Sequence, residues 1–145
     1  MASDDLASFL HDRLNEDEQA ATATLTVNAR AELINGHEPA RWTYQHGKIW
    51  STDRHDTLRV RHTWDREGEH ITRHDPARVL RDVHAGRALL RMYEGAITAR
   101  EHAQQYAEPY QRSRATAFMH ALQAAVQFRA LPYADHPDYR ETWRP

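Results

Sequence analysis

The 145-residue chain contains no cysteine. That excludes disulfides, thiolate zinc sites and a cysteine nucleophile, and it fits a cytosolic, cytoplasmic setting. Glycine is scarce, with five scattered residues, so there is no phosphate-cradling loop and no dinucleotide fingerprint. No apolar run approaches the about 18 residues of a membrane span. The opening MASDDLASFL is acidic and lacks the apolar centre of a secretory signal. No G-x-S-x-G elbow and no recognisable pair of catalytic carboxylates occurs. Nothing in the pattern asks for an enzyme, and no catalytic residue is assigned. Lysine is nearly missing, one residue against 18 arginines. With alanine so frequent, this reads as a GC-rich coding sequence and not as an arginine-based function.

Large apolar side chains are also few. Alanine supplies 22 residues, while Leu, Ile, Val and Phe together number 23. That is enough for one modest core, so a single domain over residues 1–145 is expected. The formal charge of −2 is unevenly spread: residues 1–40 carry −6, residues 41–91 carry +4, and the remainder balances. An acidic first helix lying near a basic middle explains this with weak exposed pairs. The alternative is a basic surface for an anionic partner. Protonating all 11 histidines would move the charge from −2 to +9, so solubility or association can respond to mild acid near the reference pKa of about 6.5.

Ser3 as N-cap, Asp4 and Asp5 in the first turn, and Leu6, Phe9, Leu10 and Leu14 at helical spacing predict a helix over residues 3–21. Arg13, Glu16, Asp17 and Glu18 are expected on its outer side. Residues 22–40 are ambiguous: Thr24–Val27 reads as a short strand, or Ala29–Ile34 as a helical turn ended by Asn35-Gly36, with Pro39 soon after. Residues 41–64 alternate with a period of two. Trp42, Tyr44 and His46 form one face, and Leu58, Val60, His62 and Trp64 form another. With Gly47 and residues 53–56 as turns and Lys48–Ser51 between them, this predicts an antiparallel meander. Such a sheet needs helices against its apolar face.

Helical patterning returns after Glu67. A short helix is expected over Glu69–His74, and Asp75-Pro76 starts a longer one. Val79, Val83, Gly86, Leu90, Tyr93 and Ile97 form a seam along that helix with coiled-coil spacing. Glu108-Pro109 ends it near Ala107. A further helix, about 112–130, presents Ala115, Phe118, Met119, Leu122, Ala125 and Val126, and the short break implies an antiparallel hairpin. Leu131–Tyr133 is expected to be extended, with Tyr139 and Trp143 on a final turn. The tail aromatics should dock on the helices. The fold class is therefore α+β: an N-terminal helix and a long antiparallel helical hairpin (residues 75–130) packed on a small meander (residues 41–64).

Three constellations carry possible chemistry. His70 and His74, at i and i+4, share a helix face and suit zinc or another divalent metal, with a carboxylate or His136 completing the set. Eleven histidines place about one such pair by chance, and the bland alternative is a buried His70 with His74 shaping a helix start. Arg59 and Arg61, with Trp50 nearby, suit single-stranded nucleic acid. A charge-guarded edge strand explains them as well, so nucleic acid is not the favoured partner. An Arg-to-His spacing at Arg78–His84 and Arg114–His120 matches an all-helical ribonuclease pattern, but the abundance of both residue types produces it by chance.

The segment His70-Ile71-Thr72-Arg73-His74-Asp75-Pro76-Ala77-Arg78-Val79-Leu80 and the ending from Ala130 through Leu131-Pro132-Tyr133-Ala134-Asp135-His136-Pro137 to Trp143-Arg144-Pro145 resemble a family of small uncharacterised actinomycete and actinophage proteins. So does the opening Asp5-Leu6-x-x-Phe9-Leu10 with Asn15–Glu18. The resemblance brings no activity with it. It implies a phage-accessory or mobile-element context. Many members carry cysteines before the LPYADHP ending, which implies a metal-binding insert in them. This chain has helix-forming sequence there. The leading expectation is a non-enzymatic protein that binds a protein partner or itself as a homodimer. Val83, Leu90, Tyr93 and Ile97 would form the partner seam, with no cofactor and no membrane contact. Zinc binding and nucleic-acid binding are the alternatives.

Overall fold

A computed structural model describes the backbone of residues 2–37, 41–52 and 56–145 and the side chains from Asp5 onward within them. The helices are α1 (Ala2–Ala23), α2 (Val27–Ile34), α3 (Asp65–Arg73), α4 (Pro76–Tyr106) and α5 (Pro109–Ala130). The strands are β1 (Trp42–Gln45), β2 (Lys48–Ser51) and β3 (Thr57–Val60), in spatial order β1-β2-β3. This is the expected α+β arrangement. The side chains of Ser3 and Asp4, Pro39, and most of the 53–56 turn lie outside the described residues. Contacts divide the chain into two compact units, Met1–Asn15 with His84–Pro145, and Glu16–Val83.

The first unit is helical. Leu6, Phe9, Leu10 and Leu14 are all buried, as their spacing requires. Antiparallel packing of α1 on α4 follows from the pairs His11–Glu94 and Asn15–Arg87. Leu14 fits against Gly86, where an added Cβ would lie 2.9 Å from its side chain. Pro109 has two roles: it cannot continue α4, and its fixed φ opens α5 at the first helical position. Gln104 meets Thr116 across the resulting hairpin.

Two expectations fail in this unit. Leu131–Tyr133 is a 3-10 turn and not extended, because it continues directly from the last turn of α5. Arg13 is buried, not on the outer side of α1. Its guanidinium lies over the Phe9 ring and donates to the His136 imidazole (Nη1 to Nδ1 2.8 Å). The tail docks as expected: Phe9 is ringed by Tyr133, Tyr139 and Trp143 at centroid distances of 6.4, 6.0 and 5.1 Å. Arg140 reaches back to Asp5 at 2.6 Å.

The second unit holds the sheet. The helical reading wins over residues 22–36 because Thr26 caps α2, its hydroxyl accepting from Ala29 N at 3.1 Å. Gly36, at φ +80°, follows the C-cap Asn35. β1 and β2 are joined by His46-Gly47, both at positive φ, the two-residue turn whose twist suits a hairpin. Ile49 pairs with Val60, but Trp50 pairs with Leu58, so Arg59 is an extra residue in β3. That bulge places Leu58 and Val60 on opposite faces, which corrects the alternation read along residues 57–64. β3 also ends at Val60, and Trp64 is exposed just ahead of α3. α3 starts at Asp65, earlier than expected, and packs on β1 and β2.

Gly68 makes that packing possible, since a Cβ there would sit 2.3 Å from the Tyr44 ring. The Tyr44 hydroxyl donates to Asp65 and accepts from Gly47 N. Donation to the Asp65 carboxylate, then burial, raise the Tyr44 pKa above its ordinary value. The neutral phenol is the favoured form, so this contact stabilises the fold below pH about 10 and is lost as pH rises through the folded-state pKa. In an ultraviolet titration Tyr44→Phe should remove a component that ionises above the ordinary tyrosine pKa of about 10. A variant that loses only a component at or below that value would show that the contact does not persist in solution.

Candidate functional site

α5 has two apolar stripes. Met119, Leu122, Val126 and Ala130 form the first, and all four are buried. Phe118, Ala121, Ala125 and Phe128 form the second, about a third of the way round the helix at 100° per residue. Phe118 and Phe128 are 56% and 62% exposed, and Tyr110 extends the stripe toward the start of the helix. Phe118 and Ala125, which the sequence pattern groups with Met119, Leu122 and Val126, fall on this second face. One helix with this much alanine supports two apolar faces, and periodicity alone does not say which one the chain covers. α5 contains no acidic residue; Arg114 lies in the stripe between Tyr110 and Phe118, and Arg129 borders it.

The α4 seam behaves in the opposite way. Val83, Leu90 and Tyr93 are buried within this chain, and Ile97 is partly covered. These side chains face the protein's own interior. In the second unit, α2 shows a similar unpartnered stripe: Val27 and Ile34, seven residues apart, are each 84% exposed.

His70 and His74 come together at the end of α3, with ring centroids 4.5 Å apart and a tilt of 38°. Both are exposed. The His74 Nδ1–H donates to the His70 carbonyl at 3.0 Å, which leaves the Nε2 lone pair facing outward. His74 also borders a cleft of about 290 Å³ whose floor includes Trp42, Ala20 and Val79. His136 is in the other unit, where Arg13 donates to its ring and the Asp138 backbone N–H donates to its Nδ1. Among the described residues, no three His, Asp or Glu side chains form a group able to hold a metal.

The Arg59 guanidinium lies over the Trp42 ring, 5.6 Å from its centroid, and donates to the Thr24 carbonyl. Arg61 is exposed. Trp50 is on the outer sheet face beside Thr43, Gln45 and Thr52. Arg59 and Trp50 therefore have separate surroundings.

One buried group was legible only as a helix start. Asp75 is fully buried. Its Oδ1 accepts from Arg78 N at 2.8 Å, capping α4. Its Oδ2 accepts from Arg41 Nε at 2.6 Å and from Trp42 N at 3.2 Å, at the start of β1. The capping role follows from Asp-Pro in the sequence, but the clamp on a strand 33 residues away does not.

These features describe a small α+β protein with a docked aromatic tail, an exposed apolar helix face and a histidine pair. The chain belongs to a family of unknown function (DUF6221), whose match covers residues 3–145. Neither a curated protein nor a solved structure matches it. Among the described residues, no helix is long and apolar enough to cross a membrane.

Proposed function

We propose that this is a protein-interaction protein that pairs with a second copy of itself through the outer stripe of α5. The observation that carries this reading is the symmetry of the exposed stripe. Phe118 and Phe128 lie five residues either side of position 123, and Ala121 and Ala125 lie two residues either side. An antiparallel two-fold contact centred there sets Phe118 against Phe128 of the second copy and Ala121 against Ala125, with small residues at the closest approach. Such self-complementarity is what an isologous interface demands. Centred on position 123, the two α5 helices overlap over residues 116–130, about 21 Å. A single helix pair of that length falls short of the roughly 800 Å² per partner of a standard interface, so the dimer is weak, with a dissociation constant on the order of 10 µM or higher, and it dissociates on dilution below that.

Sedimentation across that concentration range tests the reading. The mass should climb from 16.9 kDa toward twice that value, and Phe118→Glu with Phe128→Glu should hold it at the lower figure. Ala121→Cys mixed with Ala125→Cys should form a disulfide-linked pair more readily than either variant alone, and the cysteine-free background makes the assay clean. A monomer at every concentration refutes the proposal, and so does cross-linking of Ala121→Cys alone in preference to the mixture.

A further inference from the structure

We infer that His70 and His74 form a two-imidazole clip for a divalent transition ion, with water filling the other coordination positions. The argument begins with spacing, since this is the one pair of histidines four residues apart in the sequence. Its geometry is specific. An imidazole nitrogen sits about 2.0–2.1 Å from a bound zinc-like ion, which puts each ring centroid about 3.2 Å from it. Two such rings at a right angle about the metal are then about 4.5 Å apart, and at a tetrahedral angle about 5.2 Å. The observed separation is 4.5 Å, so the spacing of the rings matches adjacent ligation at a right angle.

The second observation is the tautomer. The His74 Nδ1–H bonds to the His70 carbonyl at 3.0 Å. A backbone carbonyl on one ring nitrogen is how metal-ligating histidines are commonly oriented, because it fixes the proton and raises the basicity of the other nitrogen. The His70 ring makes no hydrogen bond among the described residues, so it can turn to present Nε2 without breaking one. Both rings are solvent-exposed, so an ion can enter. With two protein ligands and no enforced geometry, nothing selects one metal. The affinity order should follow the general series, copper above nickel above zinc.

The test uses the full chain without a histidine tag, titrated with copper, nickel and zinc chlorides. One equivalent should bind per chain. His70→Ala and His74→Gln should each weaken binding by roughly tenfold or more, while His120→Ala on α5 should leave it unchanged. Glutamine at position 74 can still donate to the His70 carbonyl, so a loss there reports ligation and not a broken helix end. Nitrogen NMR should show zinc perturbing Nε2 of His74 while the Nδ1 proton persists. Equal binding by all variants, which would indicate scattered surface histidines, overturns the inference. So does the absence of binding at millimolar metal. The dimer proposed above is tested separately and stands or falls without this site.

Discussion

Phe9→Ala should lower the unfolding free energy by about 3–5 kcal/mol, the usual cost of deleting a buried aromatic ring. Phe9 packs against all three tail aromatics and also underlies the Arg13 guanidinium. Removing it takes away the ring contacts that hold residues 131–145 to α1. The salt bridge from Arg140 to Asp5 is about half exposed at both ends and is too weak to hold the tail alone. Urea denaturation gives the energy, and limited trypsin digestion gives the location, with cleavage after Arg140 appearing early. Phe128→Ala, on the exposed stripe, should cost less than about 0.5 kcal/mol in dilute protein. Similar losses for the two variants would mean that the tail is not anchored through Phe9.

Asp75→Ala should cost about 2–4 kcal/mol. A lost helix cap accounts for about 1 kcal/mol. Leaving the Trp42 N–H without its acceptor adds about 1–3 kcal/mol. The ion pair adds little, because the Arg41 side chain is 54% exposed. Asp75→Asn keeps the shape and one acceptor oxygen, so it should fall between wild type and alanine. A chemical-denaturation midpoint for Asp75→Ala equal to that of wild type would show that α4 and β1 do not depend on this carboxylate.

How far the sequence predicts this structure depends on the kind of signal. Regular periodicity is reliable: Leu6, Phe9, Leu10 and Leu14 lie inside, and Asp75-Pro76 starts a helix. The hairpin turn is legible because His46-Gly47 sits between alternating segments. The failures have specific physical causes. Arg13 is buried because its flat guanidinium stacks on an aromatic ring and meets an imidazole contributed from 123 residues later, a pairing no local pattern carries. β3 departs from its alternation because the bulge at Arg59 adds a residue that only the partner strand reveals. The expected partner seam on α4 turns inward and the α5 stripe turns outward. Both have acceptable spacing, and the choice is made by which face meets the rest of the chain. The His70–His74 pair was visible from spacing alone, but the orientation of its rings required coordinates.

The contact between Asp5 and Arg140 spans 135 residues. During synthesis the α1 stripe therefore emerges long before the rings that will cover Phe9 exist. Phe9 must wait for its ring partners while the sheet and the hairpin are made. Contacts this distant in sequence form slowly, because closing so long a loop is entropically costly before any packing offsets it. Tail docking is accordingly a late event in the maturation of this chain. A ribosome-stalled nascent chain cut short before Tyr133 would leave Phe9 open to misassociation.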